Sequence, residues 1–444
     1  MRKGAFNTGR VYTRNAFQLF TKSGSIGGFI LFFCAIIAVI VANVPSLQHL
    51  LGIWDTEIGF EIGDFSIRMS FLEWINDGLM AIFFFNVGLE IKHEILAGEL
   101  SQPKKAMLPI FAALGGMIFP ALIFTIFNAG TPSSHGWGIP MATDIAFAMG
   151  VLALLGKSCP LGLKVFLTAL AIVDDLGSII VLAIFYPTHA IHLNFLIYAA
   201  IVIAILVAFN FMRVRRTFMY IIPGLFLWYF IFRSGIHATI AGVLLAITIP
   251  AKTRINEIKF YTNVQFLLNK FKEASHGKLD VVSSPEQLNL LHQINNRVDD
   301  ISPLMDRFQV ALNAPVNYII MPLFALANAG VAFSGDIFGS QYMNIAVGIF
   351  FGLLIGKPVG IFLFSWLSIK LKLAQMPSNS TYKQLLAIGM VGGIGFTMSL
   401  FIDNLAFSDP EMVSVGKAAV LVTSTVSVIL GYLAVKLTAR KKEA

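Results

Sequence analysis

The sequence predicts an all-α polytopic membrane protein of about twelve transmembrane helices. Three observations carry that prediction. The 444 residues are 57% hydrophobic and 13% charged, with a mean hydropathy of +0.77, whereas soluble domains carry about 25% charged residues. Apolar runs near 20 residues, the length that crosses a bilayer, recur along the chain. Lysine and arginine are sorted between alternate loops. The net charge of +8 therefore reflects membrane topology rather than affinity for nucleic acid. Forty Phe and 37 Gly fit packed membrane helices.

Spans are expected near 25–45, 73–91, 106–128, 139–156, 161–186, 194–212, 217–232, 235–250, 310–333, 343–370, 383–403 and 412–436. With that count, 28 of the 32 basic residues lie in one set of loops. The other set holds only Arg68 and Arg233, and Lys357 and Lys417 lie within spans. The positive-inside rule then places both termini in the cytoplasm. The domain plan is a cytoplasmic arm (1–24), helices 1–8 (25–250), a cytoplasmic insert (251–309), helices 9–12 (310–437) and a tail (438–444).

In chain order, Arg10, Arg14 and Lys22 precede the apolar run 26–44, which resembles a signal peptide. At 19 residues and with many spans following, it reads as a retained first helix. The acidic 46–72 loop alternates polar and apolar residues (EIGFEIGDFSIRM) and predicts an exposed hairpin. Asp77 is expected to cap the second span. That span ends in LEIKHE, where Glu90 and Glu94 flank His93 at an i, i+4 spacing. This reads equally as a pH-responsive cluster or a plain charged helix end.

The fourth span, GWGIPMATDIAFAMGVLALLG, has Gly136, Gly138 and Pro140 ahead of Thr143 and Asp144. Glycine and proline weaken the helical ladder. Unwound backbone at membrane depth is tolerated only where protein or a watery cavity satisfies it. Asp144 is therefore expected beside a helix break, offsetting a half-helix N-terminus. The eleventh span has a matching cluster, Gly389, Gly392, Gly393 and Gly395, followed by Thr397 and Ser399. Close helix packing would also explain those glycines. Two interrupted spans in corresponding places nevertheless point to inverted-topology repeats.

The fifth span carries the strongest signal. Val165–Phe185 reads VFLTALAIVDDLGSIIVLAIF, with Asp174 and Asp175 its only charges. One Asp at mid-helix costs roughly 2.5–3.5 kcal/mol. Such carboxylates usually face water-filled cavities and bind ions or relay protons. Consecutive helical residues diverge by about 100°, so the two carboxylates occupy different surroundings. They repel and titrate as a pair, which suits a cation that competes with protons. Hard oxygen ligands suit Na⁺ or Li⁺ by the logic that gives oxygen to Ca²⁺ and Mg²⁺.

Lys357, between Gly356 and Pro358 in the tenth span, needs a carboxylate or free carbonyls as partner. Asp174 or Asp175 is the candidate. His237 opens the eighth span, where an ordinary interface role competes with a sensing one. The insert reads as a solvated, partly helical and amphipathic segment. Cys34 and Cys159 are too few for a disulfide framework and are expected to pack.

The runs WINDGLMAIFFFNVGLEIKHE, ATDIAFAMGVLALLG, LTALAIVDDLGSI, SGIHATIAG, MPLFALANAGV, GKPVGI and GGIGFTMSLFI, in this order, resemble the bacterial NhaA-type sodium/proton antiporters. The resemblance covers nearly all but the arm and the insert. It implies the inverted-repeat architecture that this family exemplifies, with spans 4 and 11 crossing near the midplane. It also implies that Asp175 exchanges Na⁺ or Li⁺ for a proton, and that Asp174 alternates between Lys357 and the ion pathway. Asp144 and Lys357 would neutralise the facing helix ends, with Thr143 as a polar neighbour, and His237 would take part in the pH response. The hairpin would contribute to a homodimer. Two departures stand out. RFQVALNAP carries Gln309, Val310 and Asn313 where the family often has an acid–His pair and a further His, and His93 replaces a common arginine.

The expected activity is electrogenic antiport that extrudes Na⁺ (or Li⁺) for external protons, in a bacterial inner membrane, for pH and sodium homeostasis. No cofactor, nucleic acid or obligate protein partner is expected beyond membrane lipid and a second copy. No P-loop G-x-x-x-x-G-K-[ST] is present. An aspartyl protease would need its two aspartates on separate helices, so the chain reads as no enzyme. A channel would trap ions at buried charge pairs. The alternative is a sodium-coupled symporter of an organic solute with the same broad architecture.

Overall fold

Helices dominate the computed structural model, since apolar surroundings leave backbone groups no partner but each other. It describes residues 8–62, 65–156, 159–187, 191–251, 257–274, 285–333 and 342–439. Residues 1–7, the insert run 275–278 and residues 440–444 of the expected tail lie outside them.

The helices are α1 (Thr8–Asn43), α2 (Met80–Leu96), α3 (Pro103–Asn128), α4 (Ile145–Leu155), α5 (Leu161–Phe185) and α6 (Leu193–Phe211). There follow α7 (Phe218–Ser234), α8 (Thr239–Thr248), α9 (Glu257–Glu273), α10 (Pro285–Ile301), α11 (Leu304–Pro315) and α12 (Met321–Asn328). The chain ends with α13 (Met343–Phe351), α14 (Lys357–Lys370), α15 (Tyr382–Gly392), α16 (Phe396–Ala406) and α17 (Pro410–Thr438). Seven described helical stretches are long and apolar enough to cross a membrane, or nine if each of two bent pairs is one span. Two further apolar helices, α7 and α8, are shorter.

Some boundaries differ from expectation. Helix α1 begins at Thr8, so most of the expected arm continues the first helix. The ninth span's helix starts at Leu304 rather than 310, because Pro303 stands directly before its first residue and fits a helix start. The insert forms the hairpin α9–α10, closed by Leu267, Ala274 and Leu290. Asp77 caps nothing. The cap of the second span is Ser70, in a reciprocal capping box with Glu73, and Asp77 lies inside the π turn Trp74–Leu79.

The 46–72 hairpin is present: β1 (Glu57–Ile62) pairs antiparallel with β2 (Phe65–Ser70), Gly59 opposite Arg68. Trp74 Nε1 donates to Ile58 O at 2.9 Å and ties the hairpin to the second span. In the interior, α3 and α14 cross at glycines. A Cβ on Gly115 would stand 2.1 Å from Gly360 O, and one on Gly360 equally close to Gly115 O. That contact seats Lys357, three residues earlier on α14, against the fifth span.

Candidate ion-binding site

The bent pairs are Pro132–Met141 with α4, at 40°, and α15 with α16, at 49°. A helix break leaves donors and acceptors without intrahelical partners. Here the two breaks satisfy each other, as Asp144 N–H donates to Ile394 O at 2.7 Å. Asp144 is the N-cap of α4, and its Oδ1 accepts from Phe147 N at 3.0 Å. Its Oδ2 reaches across to α16 and accepts from Thr397 N at 3.1 Å and Thr397 Oγ1 at 2.6 Å. One buried carboxylate thus meets the positive ends of two helices.

The opposite polarity is met by Lys357, which is 1% exposed. Its Nζ donates to Met141 O, the last carbonyl of the segment Pro132–Met141. It also donates to Asp174 Oδ2 at 2.8 Å. Thr143 Oγ1 lies 2.6 Å from the same oxygen and 3.1 Å from Gly392 O. Thr143, Asp174 and Lys357 thus form one hydrogen-bonded cluster at the breaks, while the Asp144 carboxylate bonds to Phe147 and Thr397.

Asp175 points elsewhere, as the 100° step requires. It is 2% exposed and lines a cavity of about 50 Å³ together with Asp144, Thr397, Glu90, Asn86 and Asn313. Among the described residues, none donates a hydrogen bond to Oδ1 of Asp174 or to Oδ1 of Asp175. Burying such acceptors without a partner is costly. Two unclaimed carboxylate oxygens on adjacent residues are suitable ligands for a small hard cation, or acceptors for protons.

The expected LEIKHE cluster divides. Glu90 lines the cavity. His93 turns to α11, with Nδ1 3.6 Å from Asp306 Oδ1. Glu94 accepts from Glu99 N at 2.9 Å and stabilises the following turn. Lys92, unassigned from sequence, caps the C-terminus of α8 by donating to Ile247 O at 2.6 Å and to Ile249 O. His237 is buried just ahead of α8 and is not among the residues lining the cavity.

Sequence reasoning missed Asn86, a polar residue in an apolar helix. It passed over Asp403 as well, which is fully buried on α16 with no hydrogen bond to either carboxylate oxygen among the described residues. A Cβ on Gly416 of α17 would fall 1.8 Å from Asp403 Oδ1, so the carboxyl occupies a notch only glycine leaves open. For Asp403 the intramembrane charge was a legible signal, whereas neutral Asn86 offered none.

Residues 18–435 match the family described as Na⁺/H⁺ antiporter 1. The chain is similar to the Na(+)/H(+) antiporter NhaA of Wolinella succinogenes, at 46% identity over 96% of this chain and 94% of the relative. It is similar to the Na(+)/H(+) antiporter NhaA of Helicobacter pylori (strain ATCC 700392 / 26695), at 45% over 95% and 96%. The Na(+)/H(+) antiporter NhaA 1 of Saccharophagus degradans is 43% identical over 94% and 90%.

Proposed function

The chain belongs to the Na⁺/H⁺ antiporter 1 family and is a multi-pass sodium/proton antiporter; we propose that exchange occurs at Asp175, with Asp174 as a switchable partner of Lys357. The observation that carries this reading is the contrast between the two aspartates. Asp174 shares one oxygen with Lys357 and Thr143, while Asp175 faces the cavity with Oδ1 unclaimed.

In this reading the site holds either protons or one Na⁺ or Li⁺. A cation arriving at Asp175 displaces its proton and draws Asp174 away from Lys357, so both carboxylates ligate it. Competition for the same oxygens enforces exchange without ATP. Asp144 and Lys357 hold the facing helix ends in place while the site opens to alternate sides. If two protons move per cation, transport carries net charge and responds to membrane potential. Protons entering down their gradient then drive Na⁺ out.

The same reading has twelve spans, with the second formed by residues 71–96 and the bent pairs as spans 4 and 11, in a bacterial inner membrane with cytoplasmic termini. The β1–β2 hairpin joins two copies as a homodimer. His237, Glu90, His93 and Glu94 are candidates for the pH response, though their separation argues for distinct contributions. Transport without a chemical conversion makes the protein no enzyme.

Everted vesicles acidified inside and then given NaCl or LiCl test this directly. Addition of cation should collapse the pH gradient, and Asp175→Asn should leave it standing. Normal exchange by Asp175→Asn would overturn the site assignment. Absence of any response in the unmodified protein between pH 6.5 and 9 would count against antiport itself.

A further inference from the structure

The cavity beside Asp175 has a far wall that exchange at the aspartates does not use. Asn86 and Glu90 are four residues apart on α2, which sets them on one face. Asn313 of α11 and Asn317 of the following π turn Val316–Ile320 stand opposite. All four line the same cavity. Asn86 Nδ2 donates to Asn313 Oδ1 at 3.4 Å. That bond leaves Asn86 Oδ1 aimed away from its amide neighbour. Asn86 is only 7% exposed, and among the described residues no donor reaches this oxygen.

An apolar helix position would be more economically filled by leucine. A carboxamide buried there with its acceptor unmet is costly unless something else binds it. A cation is suited to that role. Amide oxygens are hard ligands like those that coordinate Na⁺-sized ions. They carry no proton in the accessible pH range, so their affinity does not fall on acidification as a carboxylate's does. Glu90 adds a carboxyl group to the same wall. A water occupies on the order of 10–15 Å³ of such space, so about 50 Å³ holds one cation with a water or two.

We propose that Asn86, Asn313, Asn317 and Glu90 form a second cation site, which receives partly hydrated Na⁺ or Li⁺ from the cytoplasm before it passes to Asp175. This rests on Asp175 being the exchange site. The cation sheds water in two stages, first to neutral amide oxygens and then to the aspartates. The outer site concentrates cation next to a carboxylate that is still protonated, and it is reached from one side of the membrane only.

The test is the sidedness of the apparent KM for Na⁺, measured in everted and in right-side-out vesicles. Asn86→Leu removes the oxygen at similar volume. It should raise the KM at the cytoplasmic face about five- to tenfold, the effect of one lost ligand, with the maximal rate and the opposite-face KM unchanged. Asn313→Leu should act in the same direction, and Asn86→Asp should lower the cytoplasmic KM. An unchanged cytoplasmic KM in both leucine variants would overturn the proposal and reduce Asn86 to a water-bonded packing residue. An equal rise at both faces would also overturn it, since it would report damage at the shared aspartate site. Should Asn86→Leu fail to fold, Asn313→Leu decides alone. Exchange that survives Asp175→Asn would instead break the underlying assignment, whatever Asn86 does.

Discussion

On one side of α5, Asp174 lies among Thr143, Lys357 and the broken backbone near Met141 and Gly392, where its Oδ2 is bonded twice and, of the two carboxylate oxygens, only Oδ1 is left over. On the other side, Asp175 opens onto a cavity whose walls carry unclaimed oxygens on Asn86 and on Asp175 itself. Both regions are buried and built from similar groups. They differ in how far those groups satisfy one another. Where polar groups are mostly paired, the low dielectric makes them rigid, and the two breaks are held in register. Where they are left short of partners, oxygens remain for the proposed cargo, and in that reading Asp174 belongs to both regions.

A large effect on the matched side is expected at Asp144. Asp144→Ala leaves Phe147 N, Thr397 N and Thr397 Oγ1 without their acceptor, next to two helix N-termini. A loss of roughly 2–4 kcal/mol of stability follows from one lost cap and two charge-assisted bonds. Thermal unfolding in detergent should show a clear drop in Tm, with Asp144→Asn between the two. A stable Asp144→Ala with normal transport would show that the breaks do not depend on this carboxylate.

A comparable effect, and a sharper one, comes from Lys357. Lys357→Met strands a buried Asp174 carboxylate, and breaking such a pair costs about 3–5 kcal/mol when the remaining charge cannot be neutralised. Asp174→Asn in the same chain removes that charge. The double variant should be more stable than Lys357→Met alone, although neither transports normally. A double-mutant cycle on Tm measures the coupling. Additivity would mean that the 2.8 Å contact carries no energy, and the distinction between the matched and unmatched sides would lose its main support.

Much of the matched side was legible in the sequence, because its residues break local rules. Two aspartates and a lysine have no place in lipid-length helices, and Gly136, Gly138 and Pro140 mark a ladder that cannot close. These conflicts need no three-dimensional information to detect. The partners were less legible. Met141 contributes only its carbonyl, which every residue has, and Thr397 differs from other membrane threonines only in where the eleventh span bends. On the unmatched side Asp175 and Glu90 were legible as charges, but Asn86 is neutral and Asn313 stood out only as a departure from a family pattern. LEIKHE left two readings open, a pH-responsive cluster or a plain charged helix end. Its i, i+4 carboxylates share a helix face, yet Glu90 turns to the cavity, and Glu94 bonds a backbone amide beyond the helix end. The cap assigned to Asp77 failed because Ser70 and Glu73 complete a capping box before the chain reaches it.

The smallest effect belongs to His93, which lies at the margin of both regions. Its Nδ1 is 3.6 Å from Asp306 Oδ1, an ion pair only while the imidazole is protonated. The attraction is therefore present at acid pH and lost as pH rises through the histidine's pKa. This contact joins the end of α2 to α11, the two helices that carry Asn86 and Asn313. Both partners are about 40% exposed, so screening keeps the energy small. His93→Arg would hold the charge at every pH of interest. The pH–rate profile should then change on its alkaline limb, where the histidine has discharged, and stay unchanged on the acid limb. Asp306→Asn, which removes the pair at all pH values, should do the reverse, altering the acid limb only. Identical profiles for all three proteins would mean that the α2–α11 contact is not felt at Asp175, and that the cavity takes its shape from packing alone.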